Sequence, residues 1–177
     1  MARSDETKRK LLQAAKEILI EQGHAAATVM AIARRAGVNH GLIIHYFGSK
    51  EGLFVALEKQ TNEAFRQVMV DLLQAGEGLA FMKGFMLDTN AITLRQELEY
   101  MGCTMPALQK ATQTTLQAFR KTMVEQLGFP SVPHASLIMA TTSGLALQST
   151  LDPELPREKA VELLDEWVMS QWPKPTP

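Results

Sequence analysis

An all-α fold of about nine helices is predicted for this 177-residue sequence by three observations. Apolar residues recur at three- and four-residue intervals through most of the chain, the spacing of one helix face. Gly and Pro fall between those stretches, at Gly23, Gly37, Gly48, Gly76, Gly78, Gly128 and Pro130, where helices would start or stop. No segment keeps the apolar–polar alternation of a strand.

Arg3 to Gln22 reads as the first helix, with Ser4 as cap and Asp5 and Glu6 complementing its positive end. Leu11, Leu12, Ala15, Ile18 and Leu19 make its buried stripe, and Gly23 stops it. Arg3, Lys8, Arg9 and Lys10 read either as cations within reach of a nucleic-acid backbone or as a solvated helix start. Thr28 caps a second helix, where Val29, Ile32, Ala33 and Ala36 share a face, and Gly37 follows where a positive φ is often needed. Asn39 caps a third helix, with Ile43 and Phe47 four apart on its inner side. Ala33, Gly37 and Ile43 thereby supply what a helix-turn-helix requires: a small residue at the crossing, a turn glycine and a branched apolar residue beneath the second helix. In such a unit the second helix enters the major groove, which makes residues 39–46 the candidate readers of bases.

Ser49 caps a long fourth helix from Lys50 to about Ala75, with Leu53, Leu57, Ala64, Val68 and Leu72 on one face and Phe54, Phe65 and Met69 beside it. A rod of that length can carry a displacement along the chain. A short apolar helix at 79–88 follows, then one from about Ala91 to Met101 behind the caps Asp88, Thr89 and Asn90. Ala107 to about Leu127 is the next, ended by Gly128, Pro130 and Pro133; Leu108, Ala111, Leu116, Phe119 and Met123 are its apolar positions. His134–Thr150 and Arg157–Gln171 are the last two.

Composition narrows the class. Apolar residues make up 46% and aromatics only 6%, so the core must rest on Leu, Ala, Met and Ile. Net charge is −1, yet residues 1–50 carry 8 Lys/Arg against 4 Asp/Glu and the remainder 10 against 15. A basic front and an acidic rear suit a chain whose first part alone meets phosphates. The single cysteine, Cys103, fits a reducing cytosol and reads as a buried structural thiol in preference to a redox sensor. No apolar run has the length of a membrane span, and the charged N-terminus lacks a signal region, so a cytoplasmic protein is expected. A Gly-rich phosphate loop, a nucleophile motif and zinc spacing are all missing: His24, His40, His45 and His134 are not spaced as ligands. No enzyme activity, cofactor or metal is expected.

Gly37-Val38, Gly41, His45-Tyr46-Phe47 and Ser49-Lys50-Glu51, followed by Leu53-Phe54, resemble the signature of the TetR family of transcriptional regulators over about residues 11–57. The resemblance implies a DNA-binding head at 1–50 and a helical effector-binding and dimerisation domain at 51–177. It places DNA contacts on His40, Gly41, Leu42, Ile44, His45 and Tyr46, with Asn39 opening the reading helix and Thr28 and Lys50 at the flanks. Thr28 and Lys50 stand at helix N-termini, where hydroxyl, ammonium and free N–H groups suit a phosphate. Leu42 and Ile44 depart from the family pattern, which has a hydroxyl residue and a Tyr there. Ile44 either packs on thymine methyl groups or folds back onto the first helix.

The resemblance also implies an effector cavity between the helices of residues 79–127. Phe81, Met82, Phe85, Met86, Tyr100, Met101, Met105, Phe119 and Met123 would line it, Met walls being adaptable, but the same stripe also suits plain core. Gln96, Glu97 and Glu99 read as solvated in preference to a polar anchor. A two-fold operator needs a two-fold protein, and the last two helices supply the expected homodimer interface through Ala140, Gly144, Leu147, Leu164, Trp167 and Val168. The leading expectation is a repressor that binds a palindromic operator as a homodimer and is released by a small lipophilic effector. The alternatives are a DNA-binding regulator controlled by a protein partner, and a helical interaction protein that has lost DNA binding.

Overall fold

The computed structural model describes residues 2–74, 84, 87–126 and 128–171. Among them the chain forms eight helices and no strand: α1 Ala2–Gln22, α2 Val29–Ala36, α3 Gly41–Phe47, α4 Lys50–Gln74, α5 Thr89–Gly102, α6 Pro106–Glu125, α7 Val132–Leu151 and α8 Arg157–Gln171. The short helix expected at 79–88 falls almost wholly outside the described residues.

Two compact units are present. The first is built from the described parts of Met1–Ala64 and Thr93–Thr115, the second from those of Phe65–Ile92 and Leu116–Pro177. In the first, Leu11, Ala15, Ile18 and Leu19 of α1 meet Ile32 and Ala33 of α2, Ile43 of α3 and Leu53, Phe54 and Leu57 of α4. Leu94, Leu98 and Met101 of α5 join the same core at helical spacing, as does Leu108 of α6. Arg35 of α2 adds a surface tie to α1, its guanidinium 2.7 Å from Glu21 and 3.7 Å from Glu17. The second core is smaller: Met123, Ala135, Ile138, Met139 and Val168, flanked by Phe65 and Phe119 with ring centroids 5.4 Å apart.

Several expected details change. Ser4 lies inside α1, which starts two residues earlier, so it is not the cap. Pro133 does not terminate α6 but opens α7, where its missing N–H costs nothing. On α4 the apolar face turns outward by Ala64 and Val68, the latter 50% exposed, and Phe65 is the residue that packs in the second core. Cys103 is exposed at the end of α5, its thiol donating to the Glu99 carbonyl at 3.6 Å; it is not buried.

Candidate nucleic-acid interface

Local chemistry fixes α2 and α3 individually. Thr28 Oγ1 accepts the Ala31 N–H at 3.1 Å and starts α2. Gly37 takes φ +67°, which lets the Val38 N–H reach the Ala33 carbonyl and the Gly37 N–H reach Arg34. This pair of bonds closes the helix C-terminus, and a side chain at Gly37 would strain it. Asn39 Oδ1 accepts the Gly41 N–H at 2.8 Å, so the expected cap is present. After α3, Gly48 turns with φ +76° and Ser49 Oγ accepts the Gly52 N–H at 2.9 Å, starting α4 with Lys50 in its first turn.

Ile43 is fully buried and Phe47 half-buried, so α3 is anchored from below. That leaves Asn39, His40, Gly41, Ile44 and His45 exposed, together with Thr28. Ile44 is 54% exposed and does not fold back onto α1. Leu42 is half-buried against the core, so less of it faces outward. Tyr46 is half-buried, edge-on to His45 at 4.8 Å, with Lys8 Nζ 5.6 Å from its ring centroid. Lys8 is thus the α1 cation that reaches α3, whereas Lys10 pairs with Glu6 at 3.1 Å. Lys50 is half-buried, its ammonium 5.6 Å from the Phe54 ring.

Two residues of this surface were not marked by the sequence. Met30 is 63% exposed on α2, but Met is an ordinary core residue and nothing in its spacing signals otherwise. Gly52 sits where a Cβ would overlap the Phe47 carbonyl oxygen, a close approach of α4 to the end of α3 that only the folded chain displays.

The other candidate residues are distributed differently. Phe81, Met82, Phe85 and Met86 lie outside the described residues. Met101 and Met105 belong to the core of the first unit, Phe119 and Met123 to that of the second, and Tyr100 is exposed. Glu97 and Glu99 are half-buried, not fully solvated. Glu97 Oε2 lies 2.7 Å from both the backbone N and Nδ1 of His24. Burial pushes the Glu99 carboxyl up from its ordinary value, opposed by Arg95. Glu58 of α4, only 6% exposed, is also pushed up by burial, with Glu99 adding to the rise and Asn62, Thr115 and Thr112 opposing it. On α7 and α8, Ala140, Leu147 and Trp167 are exposed. Gly144 and Leu164 line a groove of about 260 Å³ with Thr141, Leu145, Gln148 and Ala160. Val168 faces inward, in the core of its own unit.

Residues 11–57 match the family model described as bacterial regulatory proteins, tetR family. The HTH-type transcriptional regulator BetI 1 of Chromohalobacter salexigens is 45% identical over 65 residues, 37% of this chain and 29% of that relative. The matched stretch thus spans under a third of the relative's length. A transcriptional regulator from Rhodococcus sp. Rha1 is similar over 93% of this chain and 96% of its own, with TM-score 0.78 and 21% identity. A regulator from Saccharomonospora viridis, solved in complex with choline, is similar over 94% and 96% with TM-score 0.74 and 14% identity. At such identities the structural likeness is one of fold, while residues 11–57, which hold the helix-turn-helix, also match in sequence the model of the tetR family of bacterial regulatory proteins.

Proposed function

We propose that the protein is a transcriptional repressor that reads a palindromic operator as a homodimer. The observation that carries this reading is α3: capped by Asn39, pinned by buried Ile43, and presenting His40, Gly41, Ile44 and His45 outward from a basic head. Thr28, Tyr46, Lys50 and Lys8 supply phosphate contacts around it, and the apolar Ile44 and Leu42 favour thymine methyl groups over polar base edges. Selection from a random duplex library should return a two-fold site with half-sites about one DNA turn, about 34–36 Å, apart. On that site Lys50→Ala should weaken binding on all sequences alike and lower the salt slope by about one charge per subunit. Ile44→Ala should instead change the preferred base at one step of each half-site. An unchanged selected site for Ile44→Ala would remove Ile44 from the reading set, and failure to select any site would sink the whole reading.

The second copy docks on α7 and α8. Leu137, Ala140, Gly144, Leu147 and Leu151 recur at helical spacing on α7, and Leu163 and Trp167 stand one turn apart on α8. Leu137, Leu147, Leu151, Leu163 and Trp167 are all more than 40% exposed, which is uncommon for so many large apolar side chains on two neighbouring helices.

The effector is a small lipophilic molecule bound by the helical part of the chain that follows the reading head. The choline complex of the Saccharomonospora viridis regulator supports a small-molecule ligand in this fold. Coupling of about 1–3 kcal/mol is expected, because a ligand shifts the equilibrium only by its preference between states. A thermal-shift screen of lipophilic compounds, cationic and neutral, followed by operator titration checks this. Binders that raise Tm yet leave operator affinity untouched would end the proposal.

A further inference from the structure

We infer that Glu97 and Glu51 suspend the helix-turn-helix at its two ends, holding it to the corner where α5 meets α6. The segment from Thr28 to Lys50 is flanked in sequence by His24 and Glu51, and each is bonded to that corner. At one end, Glu97 Oε2 of α5 accepts the His24 backbone N–H at 2.7 Å and stands 2.7 Å from the imidazole Nδ1. Tyr100, one turn further along α5, lies against the same imidazole with centroids 4.6 Å apart. Gly23 makes this possible. Its φ of +75° turns the chain so that the His24 N–H points out of the α1–α2 corner, and the Glu97 carboxylate lies over the glycine, 3.5 Å from where a Cβ would be.

At the other end, Glu51 Oε1 in the first turn of α4 accepts the Ala107 N–H at 2.7 Å. Pro106 opens α6 without a donor, so the Ala107 N–H is the first orphan donor of that helix, and its acceptor comes from 56 residues earlier. Both bonds run from a backbone N–H to a carboxyl oxygen at 2.7 Å, a short and geometrically defined contact. They matter because α2 and α3 have eight and seven residues, too short to hold their own orientation. What holds the two ends of the segment therefore joins the buried Ile43 in setting where α3 points. A displacement of residues 97–107 reaches α3 from both sides at once, and not only along α4. Glu97 and Glu51 are positioning residues, and their consequence for DNA rests on the proposed reading of α3.

Amide hydrogen exchange on the full-length protein tests the suspension without DNA. In Glu51→Ala/Glu97→Ala the amides of His24 and of residues 41–47 should exchange about tenfold faster than in wild type, while those of α7 and α8 stay unchanged. Glu51→Gln/Glu97→Gln, which keeps one acceptor oxygen on each side chain, should fall between the two. Unchanged exchange in residues 41–47 would overturn the inference. So would an acceleration equally large in α7 and α8, which reports general destabilisation. A second measurement places an environment-sensitive fluorophore on exposed Cys103, between Glu97 and Ala107. The selected operator duplex should change its emission in wild type and leave it nearly constant in Glu51→Ala/Glu97→Ala, both at saturation. An equal change in both proteins counts against the suspension. If no duplex binds wild type, the DNA reading fails, while the exchange experiment still decides the suspension.

Discussion

Trp167→Asp is expected to sediment as a monomer at micromolar concentration and to lose operator affinity by at least about a hundredfold. The indole is 41% exposed in one chain, one turn from the exposed Leu163 on the same helix, and α7 exposes Leu137, Leu147 and Leu151 in the proposed interface. A Trp at the centre of an apolar interface buries about 150–250 Å² and is the residue type most often dominant there. Asp replaces that area with a carboxylate that the partner would have to desolvate without a compensating cation. The loss on DNA follows from geometry alone. Each head makes a limited set of contacts, and linking two heads raises affinity by about 10²–10⁴ without any new contact. Since Trp167 is outside both buried cores, the variant should keep its helical circular dichroism and much of its thermal stability. A Trp167→Asp protein that still sediments as a dimer would move the interface away from α8. A monomer that binds the operator with unchanged affinity would remove the need for two heads.

Glu58→Gln is expected to stabilise the protein at neutral pH and to flatten part of its pH dependence. Glu58 is 6% exposed on α4, and burial is the largest cause that raises its carboxyl from the ordinary value of 4.5; the Glu99 carboxylate raises it further. The unfolded chain releases this proton as the pH passes its ordinary range, while the folded chain holds it to higher pH. Between those two points the unfolded state binds fewer protons, so stability falls as pH rises. Below the ordinary range both states are protonated and the residue imposes no such penalty. Gln keeps the shape beside Asn62, Thr112 and Thr115 without any titration. The advantage of Glu58→Gln should therefore be smallest near pH 4 and grow toward pH 7. Urea midpoints measured across that range check it, and a difference independent of pH would show that charge burial is not the cause.

The helix-turn-helix was legible in the sequence because its determinants are local. Thr28, Gly37, Asn39 and Ser49 act on backbone groups within five residues of themselves, and Ile43 needs only helical periodicity to be placed inward. Residues 39–46 thus stand out from sequence alone as the candidate reading helix. Helix ends were less secure, as Ser4 and Pro133 illustrate, since a residue favoured at a cap is also tolerated in the first turn. The Met and Phe stripe, in contrast, had two meanings at every position. Periodicity reports that Met101, Phe119 and Met123 avoid water but not which core they join, and the folded chain assigns them to two.

Charge was the least legible property. Glu58 stands between Leu57 and Lys59 in the sequence, with nothing to mark it as buried, because its burial is imposed by α5 and α6 packing over α4 within the first unit. Glu97 reads as a solvated acid and Glu51 only as part of the family signature for the same reason: their partners, His24 and Ala107, lie 73 and 56 residues away. The sequence by itself determined the helical class, the capped helix-turn-helix and its resemblance to a family of regulators. Tertiary structure alone decided that Ile44 stands out and Val168 stands in, and which carboxylates hold the ends of the reading unit, because each of these depends on what a distant helix places beside the residue.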